Sequence, residues 1–419
     1  MALGALNPVF VYLALVYHLV LIPLVVRDLL RLPQRPGFSA RRDIPRPLSL
    51  GTDEAILIGL RHRGAAGLEA LVADHVPAAL RPSTREVHAT FDTGGELVAE
   101  YVTNPPRRGS FRLSSLDVRC WRKGGFWIRQ VRLPVADEAA VYPNVKAIRQ
   151  YQLSARRGMP YRPGLRRSRP PGAATAFAGL RDYLPGDDIR RINWKATARR
   201  DQPVTVELEA ERGQQVVILV DCGRLMTAPA GHLSKLDHSI NAALLLGWVA
   251  QQQGDRVGLV AFSDKVDHFL APARGPAQMN RLNDLLYAIR AQPVEPDFGE
   301  AFTLVNRTVT RRSLVVVLTD LLDPTASSEL VSQALWLGRR HLVLVVAMAD
   351  PALAAARDSE IDRSERAYEW AAAEELLAAR RRSFEALRRG GVMSLDVAAG
   401  ELSPALVERY LELKERALL

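Results

Sequence analysis

Cysteine is almost missing from this chain: of 419 residues, Cys120 and Cys222 are the pair present. A disulfide framework or a cysteine-based zinc site needs more than that, so both are excluded. The scarcity fits a reducing compartment. A Gly-rich phosphate loop of the Walker type, G-x-x-x-x-G-K-[ST], is also missing. His62, His75 and His88 share no ligand spacing and read as lone surface or structural histidines. His232, His238 and His268 have no Ser or Cys partner close in sequence. Acidic residues are in deficit, 46 against 56 Lys and Arg, for a net charge of +10. Such an excess suits an anionic partner: nucleic acid, lipid headgroups or an acidic protein surface. An arginine-rich genome leaves the same mark. What is present is ordinary apolar content, 48%, so real cores are expected.

Charge is also what the first stretch lacks. Pro8 to Val26, PVFVYLALVYHLVLIPLVV, holds no Lys, Arg, Asp or Glu. A run of this length is what a helix needs to cross a bilayer, and Tyr12 and Tyr17 suit an interface. A signal peptide would bring a basic start and a small-residue cleavage site, and neither occurs. Arg27, Asp28, Arg31, Arg35, Arg41, Arg42 and Arg46 follow. This basic flank predicts a single-pass protein of the inner (cytoplasmic) membrane, N-terminus out and the bulk of the chain cytoplasmic. Residues 1–46 are therefore expected to be the anchor and its flank.

Residues 47–150 read as a β-rich domain. Val87, Ala89 and Phe91 alternate with polar residues, Thr93-Gly94-Gly95 turns the chain, and Leu97 to Val102 runs back, which is a hairpin signal. Further short alternating runs at 111–113, 116–120 and 126–131 suggest a small β-sandwich. Residues 151–175 are a basic Pro/Arg linker. Its core, RRGMPYRPGLRRSRPP (Arg156–Pro171), has no apolar periodicity and, apart from Tyr161, none of the aromatics that single-stranded nucleic acid wants.

From residue 176 to 419 strands and helices alternate. Val216–Asp221, Arg256–Phe262, Leu314–Thr319, Leu342–Met348 and Val392–Val397 read as strands, with Val266–Leu270 a short edge partner. Ser234–Gln253, Gln278–Ile289, Phe298–Thr310, Ser327–Gly338, Arg363–Arg389 and Pro404–Arg416 read as helices. The alternation predicts an α/β fold, a doubly wound, mostly parallel sheet. Sites in such sheets form at the carboxyl edge, which puts Asp221 and Asp320 on one rim. Just upstream, in RDYLPGDDIRRINWKATARR, Pro185-Gly186 turns the chain and Asp187 or Asp188 can cap a helix starting near Ile189. Arg190, Arg191, Lys195 and Arg199 would lie down that helix with Trp194 packed inward. Two readings stay open: a braced amphipathic helix, or an exposed charged platform.

These residues resemble known families. Val216–Met226 with its following helix, then DRVGLVAFSD and LVVVLTDLLD, look like a von Willebrand factor A domain. The Arg181–Arg199 block, with RRGSFRL (Arg107–Leu113) and VYPN (Val141–Asn144), is similar to domain-of-unknown-function family 58. That family pairs a membrane segment, a β-rich region and a divergent von Willebrand factor A-like (Rossmann-like) domain, and is associated with AAA+ ATPases of the MoxR class. It commonly carries two membrane helices; this chain shows one apolar run. The resemblance implies a non-catalytic, membrane-anchored adaptor for a MoxR-type ATPase, with Arg181, Asp182, Tyr183, Gly186, Asp187, Asp188, Arg190, Trp194 and Arg199 as interaction-surface candidates. Von Willebrand factor A domains hold a divalent cation with an Asp-x-Ser-x-Ser loop, a Thr and a later Asp. Here the set becomes Asp221, Asp297 (at the Thr position) and Asp320, with Gly223 and Leu225 replacing both serines. Magnesium wants more hard oxygen ligands than that, so a degenerate site with no cofactor is expected, weak Mg2+ or Mn2+ binding being the alternative. The rival functions are a metal-dependent enzyme at the Asp221/Asp320 rim and nucleic-acid binding through the basic linker; no nucleic acid is expected, since no recognition motif accompanies the charge.

Overall fold

The apolar N-terminal run is helix α1 (Pro8–Leu30) in the computed structural model, which describes residues 8–34, 37–143, 176–184, 187–200, 202–209, 213–322, 324–359 and 363–416. The helix is long and apolar enough to span a membrane, and among the described residues nothing buries its apolar window. The chain divides into two compact units, 1–146 and 147–419.

In the first unit α1 is followed by β1 (Ser39–Asp43), β2 (Leu48–Ser49), β3 (Glu54–Arg61), β4 (Glu69–Asp74), β5 (Glu86–Thr90), β6 (Glu96–Thr103), β7 (Gly109–Leu113), β8 (Leu116–Trp121), β9 (Ile128–Leu133) and β10 (Asp137–Tyr142). They form three small sheets, ordered β1–β3–β6, β2–β10–β7 and β5–β4–β8–β9. Alternation sets the faces: Leu97, Ala99 and Tyr101 of β6 are buried while Glu96, Val98 and Glu100 are exposed. The expected hairpin is corrected. The chain turns at residues 93–95, but β5 pairs with β4 and β6 with β3, so the turn joins two sheets. No residue of β5 is fully buried. The β-rich region also starts earlier than residue 47, because β1 lies within the expected flank. Arg42 on β1 is buried and bidentate to Asp74 (3.0 and 2.7 Å), and it reaches Asp137 at 2.9 Å. It is a structural cation and offers nothing to lipid.

The second unit opens with β11 (Ala176–Asp182), α2 (Trp194–Arg200) and β12 (Val204–Glu209), the two strands pairing antiparallel. Next come β13 (Gln215–Asp221), a small ladder of β14 (Pro229–Ala230) and β15 (Leu233–Ser234), α3 (Lys235–Gln252), β16 (Arg256–Phe262), β17 (Val266–Ala273), α4 (Pro276–Ala288), α5 (Phe298–Thr308), β18 (Leu314–Thr319), α6 (Pro324–Gly338), β19 (Leu342–Ala349), α7 (Pro351–Asp358), α8 (Ser364–Arg389), β20 (Met393–Ala398) and α9 (Leu402–Glu415). Six strands make one mixed sheet, β17–β16–β13–β18–β19–β20, parallel except at the β16–β17 edge. Every residue of β18 and all but the first of β13 are buried, as in a strand covered on both faces. On one face Val217, Leu219, Val315 and Val317 meet Phe298 and Phe302 of α5 and Leu330 of α6. On the other, α3 lies against β13 and packs on α9.

Candidate functional site

Chain order along the sheet reverses at β13, whose neighbours are the next strand, β16, and the later β18. Doubly wound sheets bind ligands outside the carboxyl ends at such a switch point. Asp221 ends β13, and Thr319 and Asp320 end β18, so the topology brings both aspartates to this crevice.

Asp221 is 3% exposed, and both its oxygens are engaged. Oδ2 accepts from Thr319 Oγ1 at 2.6 Å and Oδ1 from the Gly223 N–H at 2.7 Å. Burial pushes its pKa up to about 6, against the two hydrogen bonds, with the nearby Asp320 charge adding to the rise. Asp320 is saturated by cations that the chain itself supplies. Lys235 Nζ lies 2.6 Å from Oδ2, Arg380 Nη1 lies 2.8 Å from Oδ1, and the Leu321 N–H donates to Oδ1 at 2.7 Å. Lys235 also reaches Asp350 at 2.8 Å, and Arg380 is bidentate to Asp396 while donating to the Met348 carbonyl. Burial works against the charge on Lys235, but Asp320 and Asp350 outweigh it and its pKa is raised. The Arg380 pKa is raised in the same way, Asp396 and Asp320 outweighing burial. Burial likewise pushes the Asp350 carboxyl up, yet Lys235 and the N–H groups of α7 hold it below the usual range.

Asp297 lies at the same sheet edge, where its N–H donates to the Ser263 carbonyl beyond β16. Its carboxylate accepts from the Glu300 N–H at 2.7 Å and so caps α5. The D-F-G-E spacing at 297–300 is a capping signature, and it explains this residue without a cation. A Cβ on Gly223 would sit 2.9 Å from Pro296 Cδ and 3.0 Å from the Val294 carbonyl, because the 292–297 loop closes onto the Asp221 turn. Among the described residues no three His, Cys, Asp or Glu are grouped to hold a metal ion. The donor set does not fit a divalent cation: one carboxylate is hydrogen-bonded at both oxygens, one is neutralised by two internal cations, and one is a helix cap.

Lys235, Asp350, Arg380 and Asp396 were not legible as rim residues from the sequence. One local signal existed: Asp350-Pro351 is an N-cap followed by Pro at N1, which predicts the overlooked α7.

The upstream block is built differently from expectation. One helix from Ile189 does not form. A 3-10 turn spans Ile189–Arg191, capped by Asp188 through the Arg190 N–H (3.0 Å), and the chain then breaks at residues 192–193. Asn193 restarts it as α2, accepting from the Ala196 N–H at 3.1 Å. The break occurs because Ile192 bridges to Thr205, and the Asn193 N–H donates to the Val204 carbonyl. Asp187 is not a helix cap; it takes a bidentate pair from Arg181 (2.7 and 2.8 Å) and the Leu184 N–H. Tyr183 donates its N–H to the Pro203 carbonyl. Trp194 does not pack inward but is 67% exposed, in company with Ile189 at 65% and Leu184 at 60%. Asp182, Asp188, Arg190, Lys195 and Arg199 are exposed beside them. Gly186 and the 151–175 linker lie outside the described residues.

Fold and rim define a class: a mixed α/β domain with a polar rim at its topological switch point, preceded by a β-rich unit and an apolar helix. Residues 179–362 match the family described as Protein of unknown function DUF58. The chain is similar to an uncharacterized protein of Mycobacterium tuberculosis, 27% identical over 188 residues, which covers 43% of this chain and 57% of that one. It is also similar to the uncharacterized protein YeaD of Bacillus subtilis, 28% identical over 185 residues, 44% of this chain and 42% of that one. The chain thus spans about half the length of these relatives. Among solved structures, proximal thread matrix protein 1 from the mussel byssus aligns at 11% identity with a TM-score of 0.30, over 50% of this chain and 48% of that one. Likeness at that level does not define a fold.

Proposed function

We propose that this chain is a non-catalytic, membrane-anchored adaptor that presents the 181–199 block to a cytoplasmic AAA+ ATPase of the MoxR class. The carrying observation is the exposure of Leu184, Ile189 and Trp194 within one short stretch, edged by Arg190, Lys195 and Arg199. Grouped exposed apolar side chains with a polar edge mark interaction surfaces, and Trp and Arg dominate binding hot spots. The block is held by the Arg181–Asp187 pair and the Asn193 cap, so it meets a partner already ordered. Helix α1 supplies the anchor in the inner membrane, with Arg27 and Arg31 on the cytoplasmic side. The sheet order with a single antiparallel edge, and the aspartates ending β13 and β18, support a divergent von Willebrand factor A-like domain. We take its rim to work without a divalent cation, since the Asp320 charge is met by Lys235 and Arg380.

The enzyme reading has one observation in its favour, the raised pKa of Asp221 in a crevice. It ranks second because that carboxylate is tied at both oxygens. Binding of the purified full chain to a MoxR-type ATPase tests the adaptor reading. Trp194→Ala is expected to weaken the complex by about 2 kcal/mol, roughly thirtyfold in Kd, and Arg190→Glu to weaken it further, with unchanged thermal unfolding. An ATPase that binds neither the native chain nor the variants overturns the reading.

A further inference from the structure

We infer that the tip of the β8–β9 hairpin, Phe126-Trp127-Ile128, is a second membrane contact seated in the headgroup–acyl interface beside α1. This rests on α1 being the membrane anchor proposed above. The tip is tied to the helix itself. Asp28, in the last turns of α1, is 8% exposed, and its Oδ2 accepts from the Phe126 N–H at 2.7 Å and the Trp127 N–H at 3.2 Å. The Trp127 indole N–H donates to the Val25 carbonyl at 3.0 Å. A carboxylate near a helix C-terminus opposes the macrodipole, and here the two hairpin N–H groups and Arg122, 4.0 Å away, offset that cost. The approach requires glycine at 125, where a Cβ would sit 2.9 Å from Asp28 Oδ2 and 3.0 Å from the Arg122 carbonyl.

The docked hairpin directs its apolar side chains outward. Phe126, Trp127 and Ile128 are 57%, 42% and 65% exposed, against a helix whose own apolar window is wholly uncovered. Both surfaces therefore face one medium. At a rise of 1.5 Å per residue, Val25 lies roughly 7 Å along the axis inside the Leu30 end of the helix, which places Trp127 at the edge of the hydrocarbon. Tryptophan and other amphipathic aromatics favour that depth. Arg27, Arg31, Arg122 and Lys123 are exposed around Asp28 and form a basic collar where anionic headgroups lie. Aromatic tip, basic collar and continuity with the span select lipid as the occupant.

The test uses the full chain in vesicles of phosphatidylethanolamine and phosphatidylglycerol. Cys120 and Cys222 are buried, so a thiol-reactive environment-sensitive dye reports an added cysteine. Ile128→Cys is expected to give blue-shifted emission, protection from aqueous iodide and stronger quenching by shallow than by deep nitroxide lipids. Leu15→Cys, mid-helix, is expected to be quenched most by the deep ones. Gly125→Ala combined with Ile128→Cys is expected to restore iodide access at 128 and leave Leu15→Cys unchanged. If 128 is open to iodide while Leu15 is quenched by lipid, the inference fails and the anchor stands. If neither is quenched by lipid, the anchor fails and takes the inference with it. Protection at 128 without lipid quenching means that protein, a second copy or a partner, covers the tip, and this also overturns it.

Discussion

Lys235 carries the rim. It is 1% exposed and lies between Asp320 and Asp350. Removing one member of a buried ion pair strands the others, so Lys235→Met should cost about 3–5 kcal/mol, read by chemical unfolding of the full chain in detergent. Adding Asp320→Asn to that variant should recover part of the loss. Asp221 has the opposite signature, because its folded pKa, about 6, is above the unfolded value. The native state then binds more protons than the unfolded one between about pH 4 and 6, and this residue's contribution falls as pH rises through that window. Relative to the native chain, Asp221→Asn should gain ~2–3 kcal/mol of stability between pH 4 and 7, levelling above about pH 6. A flat difference between the two unfolding curves would refute the buried, raised carboxyl. Gly223→Ser with Leu225→Ser restores the hydroxyls that a cation loop would use. It should not restore magnesium binding by calorimetry, because the new Cβ at 223 meets Pro296 and the Val294 carbonyl and because Asp320 is already neutralised.

Strands and helices were largely readable from local pattern. β18 occupies Leu314–Thr319, as its apolar run indicates, since a strand covered on both faces reads as a continuous apolar run, and the one polar residue at its end, Thr319, is paired with Asp221. Helix α8, Ser364–Arg389, follows from a long run of good helix formers. Residues 189–199 read as one helix in sequence because their propensities permit one. Pairing of Ile192 and Asn193 with β12 takes those two backbones for an antiparallel contact instead. The same event turns Trp194 outward and leaves a short helix dependent on its cap. Asn193→Ala should therefore cost about 1 kcal/mol, seen in unfolding, and should loosen the proposed ATPase complex through disorder of α2. Asn193→Asp should retain the cap.

For the whole molecule, a 23-residue apolar helix precedes a β-rich unit and a six-stranded α/β unit. The full chain should stay with membranes through alkaline carbonate and high salt, where release by carbonate would show that α1 does not span. Periodicity, run length and turn residues determined by themselves the six strands of the large sheet and the longer helices around it, and the uncharged span of α1, because those signals act over neighbouring residues; α7 and the break at 192–193 were not among them. Which charge meets which was decided by topology alone. Lys235 meets Asp320 across 85 residues, Arg380 meets it across 60, and Asp28 meets the Phe126 backbone across 98. Local sequence constrains none of these pairings. The first two exist because strand order brings remote chain segments to one edge, and the third because the β8–β9 turn docks on α1; in each, burial leaves the carboxylate to the cation or N–H that the fold delivers.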